Sequence, residues 1–212
     1  MSDSTEDYVS VIGSSFLHPI ATLLESLESL ELKGPGEVQA SSLENGYSAA
    51  IVALTVFLLE SALNRTRYVQ RKSYRARSLD FFRQAFPGSG LDNRLEELFV
   101  VRDVVAHNHL WDAKIKYNEH GLELISASLL PEYGDKKFKK VVDWNTRKTR
   151  LLGLNVFPTR ICRADAVIAL KCTLDVLAFL EKADRRYFYI TPQLVKFKEQ
   201  MTTFRDLIQQ LK

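Results

Sequence analysis

The sequence predicts a mainly α, single-domain protein, a helical bundle carrying one small inserted β-hairpin. Three observations carry that expectation. Apolar residues recur at three- to four-residue spacing in several segments, the signature of helices with one buried face. The run YSAAIVALTVFLL, Tyr47 to Leu59, is apolar nearly all round, as suits a helix in the middle of a bundle. Strand-like alternation is confined largely to WDAKIKY and the residues just after it.

Taken in order, residues 7–32 read as helix interrupted at Pro19, which a first helical turn tolerates because the missing N–H is unpaired there anyway. Ile20, Leu23, Leu24, Leu27 and Leu30 then form one apolar stripe. LKGPGEV breaks it, so residues 1–40 are expected to form an N-terminal helical segment and linker ahead of a helical domain over 41–212. Ser41 and Glu44 spell S-x-x-E, a capping box, at the start of a helix from about 42 to the late sixties. That helix runs out into the basic stretch RTRYVQRKSYRAR. SLDFFRQAF makes a short helix closed by PGSG. LDNRLEELFVVRDVVAHN follows, with Asp92 as N-cap, Leu91, Leu95, Leu98, Phe99, Val101 and Val105 on its core side, and an end near His107 or Asn108. Residues 111–118 and 122–129 are the two strands of the hairpin, closed by NEHG. The stretch 131–160 reads as an irregular basic insertion with weak strand character in KKVVDW and LLGLNVF. ADAVIALKCTLDVLAFLEKA is a helix, and QLVKFKEQMTTFRDLIQQLK is expected to be a terminal one.

A chain of 212 residues can bury about two-thirds of its unfolded surface, so it needs no covalent staples. Its 46% apolar content rules out disorder, and a net charge of +3 gives only a mild bias toward anionic partners. Cys162 and Cys172 stand ten residues apart in one predicted helix, about 15 Å along the axis, too far for a disulfide. Reduced thiols suit a cytoplasmic protein. The start MSDSTEDYVS is acidic and polar, unlike a signal peptide, and the apolar run is shorter than a membrane span needs. A cytoplasmic location with no membrane partner is therefore expected.

Chemistry concentrates in VRDVVAHNHL, residues 100–109. Arg102 offers permanent, planar donors suited to phosphate oxygens. His107 can move a proton near neutral pH, and Asp103, one turn earlier, could orient it. Together these groups suffice for metal-free cleavage of RNA by its own 2′-hydroxyl, with arginine stabilising the phosphorane charge and histidine acting as acid or base. The alternative is structural: both side chains near a helix C-terminus can simply cap its exposed carbonyls.

RDVVAHNH resembles the R-x4–6-H signature of the HEPN superfamily, the higher eukaryotes and prokaryotes nucleotide-binding domains. The order also fits, with a long apolar helix, YSAAIVALTVFLLESAL, ahead of the motif helix LEELFVVRDVVAHN. The resemblance covers about 42–110 and the helix near 162–183, and leaves out the first 40 residues and 131–160. It implies a metal-independent endoribonuclease with no cofactor, a homodimer whose paired Arg102 and His107 line one cleft. It further implies a toxin or phage-defence effector held in check by an antitoxin or other regulatory protein. Some members of that superfamily are non-catalytic interaction modules, which is the rival expectation.

RNA contacts are expected from Asn108 and His109 beside the motif, and from Arg65, Arg67, Arg71 and Lys72 in the basic stretch, whose tyrosines could stack on bases; the alternatives are solvent-facing turn residues and a solvated helix extension. KKFKK at 136–140 and RKTR at 147–150 are weaker candidates of the same kind, and Glu60 either orients the motif arginine or simply marks where the apolar helix emerges into solvent. The letters HNH at 107–109 lack the dispersed ligands of an HNH nuclease. His18 and His120 have no evident partner. No zinc-spaced Cys/His set, phosphate loop or close carboxylate pair is present in the sequence, so no metal is expected.

Overall fold

The structure is a computed structural model and describes residues 12–31, 40–72, 76–107, 111–119, 121–129, 136–184, 186–187 and 190–211. Among these it is mainly α, with three antiparallel two-stranded pairs. The helices are α1 (Leu17–Ser29), α2 (Ser42–Val69), α3 (Ser78–Ala85), α4 (Asp92–His107), α5 (Lys136–Val141), α6 (Arg163–Ala183) and α7 (Phe204–Gln210). The pairs are β1 (Trp111–Asn118) with β2 (Gly121–Leu129), β3 (Val142–Asp143) with β4 (Lys148–Thr149), and β5 (Leu194–Phe197) with β6 (Gln200–Thr203).

α2 is the centre, packed against α1, α3, α4 and α6. It is the one helix among the described residues long and apolar enough to cross a membrane. Its Ile51, Val52, Val56, Leu58, Leu59, Ala62 and Leu63 are instead buried in the core. Ser41 Oγ accepts from Glu44 N–H at its start, one half of the expected capping box. The other half is not made, because Glu44 reaches across to accept from Arg163 N–H and ties α2 to the start of α6. At its far end Lys72 N–H bonds Arg67 O and Arg71 N–H bonds Tyr68 O, a Schellman closure that puts Arg71 at φ +53. α1 shares this core through Leu17, Ile20, Ala21, Leu24 and Leu27, with Pro19 in its first turn. Arg163 donates to the carbonyls of Leu27 and Leu30 and so satisfies the end of α1.

Asp92 is the first residue of α4 rather than its N-cap, and its carboxylate is taken by Arg83 at 3.2 Å. The next turn carries two buried acids. Glu96 accepts from Arg83 Nη2 at 2.8 Å and Lys140 Nζ at 3.0 Å. Burial alone would push its pKa up, but the Arg83 and Lys140 hydrogen bonds outweigh that and hold it below the ordinary value. Glu97 accepts from Leu151 N–H and Leu152 N–H, each at 2.8 Å. The stretch 136–160 is therefore no loose insertion. Phe138, Val141, Val142, Leu154 and Val156 enter the main core beside α4.

The terminal segment departs most from expectation. Half of it is the β5–β6 hairpin, turned at Lys198 and Glu199 with φ +47 and +62, and only 204–210 is helical. Val195, Phe204, Leu207 and Ile208 carry its burial. Glu181 on α6 fastens it, accepting from the N–H groups of Ile190 and Thr191, from Thr191 Oγ1 and from Arg205. The β1–β2 ribbon has two unlike faces. Along β1, Trp111, Ala113, Ile115 and Tyr117 alternate with Asp112, Lys114 and Lys116. Its distal half is unsupported, leaving Tyr117 83% exposed.

Candidate functional site

α4 remains helical through His107, its last residue. α4 packs against α2, and Val100, Val101 and Val104 of its C-terminal half are buried in the core. Phe99, Asp103 and Ala106, one turn apart in succession, run as a strip along the side away from those valines, Phe99 half-buried against the core, Asp103 half-buried and Ala106 exposed. Arg102 and His107 stand about 70° to either side of that strip, and hence about 140° from each other.

Arg102 is held but not sealed, with 21% of its side chain exposed. Its Nη2 donates to Glu60 Oε1 on α2 at 3.3 Å. Its Nε lies 2.9 Å from Asp103 Oδ1 but off the N–H direction, so that contact is one of charges rather than a directed hydrogen bond. Glu60, placed at the end of the apolar run, thus orients the arginine. Asp103 pairs with Arg102, and no contact joins it to His107, whose ring is exposed and makes no ion pair among the described residues. Arginine and acids converge within one chain, while the histidine stands apart.

The basic stretch after residue 64 sorts differently from its letters. Arg67 is 3% exposed, its guanidinium 4.9 Å from the Phe81 ring centroid, so it braces α2 against α3 and is excluded from binding RNA. Its position was legible: Leu59, Ala62, Leu63, Thr66 and Arg67 continue one buried helical face. Arg65 donates through Nε to the Arg186 carbonyl at 2.8 Å, a tether to the residues after α6. Arg71 and Lys72 are exposed just beyond the end of α2. Asn108 and His109, like His120, lie outside the described residues.

No group of three or more His, Cys, Asp or Glu side chains stands together among the described residues. Both cysteines are free and buried, and burial pushes the Cys172 thiol up to about 11, with Cys162 raised as well. Burial disfavours the thiolate, the nucleophilic form, at both. Sequence reasoning passed over one feature. KKFKK and RKTR fold against each other around the exposed Trp144, a signal available as a tryptophan between two basic segments. Comparison of the chain with family models, with curated proteins and with solved structures gives no match.

Proposed function

We propose that the chain is a metal-independent endoribonuclease of HEPN type, working as a homodimer in which two α4 helices meet along the Phe99–Asp103–Ala106 strip. The observation that carries the reading is the placement of Arg102 and His107 on opposite flanks of that strip. A helix pair crossing there sets each Arg102 beside the partner copy's motif histidine, which one copy alone cannot do. The 2′-hydroxyl oxygen then attacks the adjacent phosphorus while one histidine accepts its proton. The P–O5′ bond breaks, the other histidine protonates the leaving 5′-oxygen, and a 2′,3′-cyclic phosphate and a 5′-hydroxyl result. Arg102 neutralises the non-bridging oxygens as charge builds, with Glu60 and Asp103 fixing its fork. The resemblance on which this rests also suggests a toxin or defence effector restrained by a protein partner.

The rival reading, a non-catalytic dimerisation module, draws on the same ion pairs. Arg102 already meets two acids of its own chain, as a purely bracing arginine would. The two separate on single-stranded RNA incubated in excess chelator with wild type, Arg102→Ala and His107→Ala. Cleavage by wild type alone, leaving cyclic ends, is the expected result. Equal inactivity of all three, with dimerisation weakened in the variants, supports the module and overturns the nuclease.

A further inference from the structure

We propose that α5 and the β3–β4 turn form a platform for single-stranded RNA, with Trp144 as the stacking surface and the surrounding cations as the phosphate track. The inference rests on the ribonuclease reading for its choice of RNA and adds the face on which the strand lies. Residues 136–150 hold seven basic side chains and one acid, Asp143, a local net of +6 in a chain whose total is only +3. The remainder of the molecule is therefore net negative, and its attraction for a polyanion is concentrated here. The fold joins the two basic segments: Arg150 N–H bonds Val141 O at 3.0 Å, and Arg150 Nε donates to Lys140 O at 3.3 Å.

The cations are available. Of the seven, Lys140 alone is in an ion pair among the described residues, with Glu96. Among the described residues the nearby acids are engaged elsewhere: Asp143 accepts from Asn145 N–H, Glu96 is shared by Arg83 and Lys140, and Glu97 is filled by two backbone N–H groups. Arg147 occupies a left-handed position, φ +55, fixed by its N–H to Asp143 O and by Val156 N–H to its own carbonyl. Glycine or asparagine would sit there at lower cost, yet the turn carries a cation.

Trp144 is 41% exposed, an unusual place for indole, but it is not loose. Its ring centroid lies 5.7 Å from Phe138 and 6.2 Å from Trp111, and Trp111 in turn packs edge-on to Phe157 at 5.4 Å. A buttressed, partly exposed ring in a segment rich in lysine and arginine suits base stacking with phosphates alongside. Trp111 follows His107 by four residues, a span of at most about 14 Å, so the platform adjoins the motif end of α4.

The test reads binding apart from cutting. A short fluorescein-labelled oligouridylate carrying 2′-O-methyl groups, which has no free nucleophile, is titrated by fluorescence anisotropy at several salt concentrations. Trp144→Ala should weaken binding about 5- to 150-fold, the worth of one stacked base. Lys136→Glu with Lys139→Glu, both exposed positions, should lower the salt slope by about 1.4, from 0.7 per phosphate contact on a single strand. Binding by the two variants equal to wild type overturns the platform, as does binding of polyglutamate as tight as RNA and indifferent to Trp144, which would assign the patch to an acidic protein. Trp144-dependent binding with no cleavage of natural RNA keeps the platform and sinks the nuclease. Cleavage with unchanged binding by Trp144→Ala does the reverse.

Discussion

Asp165 offers the sharpest test of how the fold holds these features. Its carboxylate is 1% exposed and accepts three hydrogen bonds: from Asn155 N–H at 2.8 Å, Asn155 Nδ2 at 2.9 Å and Cys162 N–H at 2.9 Å. The first two clamp Asn155, which bridges Lys148 and so steadies β4 beneath the basic turn. The third closes the start of α6. Asp165→Ala leaves all three donors buried and unmet, at about 1–3 kcal/mol each. Partial relaxation and entry of water reduce the sum, so a loss of about 3–6 kcal/mol is expected, against a total stability of about 5–15 kcal/mol for a domain. Asp165→Asn keeps one acceptor oxygen and nearly the same volume, and should lose about 1–3 kcal/mol. Urea titration followed by circular dichroism measures both. Tryptophan emission should shift in the same variants below the unfolding transition, because both indoles lie against the 142–157 region. A loss under about 1 kcal/mol for Asp165→Ala would mean that the Asn155 clamp carries no load, and the account of this corner would be wrong.

Two further outcomes follow from the same geometry. Glu96 has its pKa lowered in the folded state, so its contribution is complete above its ordinary value of 4.5 and is lost as pH falls below that through the depressed one. The stability gap between wild type and Glu96→Gln should be constant at neutral pH and narrow in acid, in thermal melts across that range. A gap that widens in acid has the wrong sign for the Arg83–Glu96–Lys140 cluster. Arg71→Gly relieves the left-handed strain at the end of α2 and should raise stability by about 0.5–1 kcal/mol in urea titrations, whereas Arg71→Val should lower it.

Local chemistry made the helices legible. The Ser41 cap, the stripe from Ile20 to Leu27 and the all-round apolar character of α2 each lead to the element observed, because each is a short-range demand of the backbone or of one buried face. The β1–β2 hairpin was legible for the same reason. The terminal segment was not: Leu194, Phe197, Met201 and Phe204 satisfy helical spacing, while its turn uses Lys198 and Glu199, which advertise no positive φ. Glu97 was also hidden, since the amides it binds at Leu151 and Leu152 lie more than fifty residues away in sequence. Of the candidate site, Arg102 and Glu60 proved to be partners, but the pairing of Asp103 with Arg102 depends on side-chain direction, which letters do not carry. Counting charges misled at Arg67, where helical phase would have placed it inside.

The unbroken helicity of α4 up to His107 has a kinetic consequence. With Arg102 and His107 about 140° apart around the helix, the proposed reaction draws one from each copy and is second order in protein when monomers predominate. On the proposed reading, specific activity would climb with protein concentration and collapse on dilution.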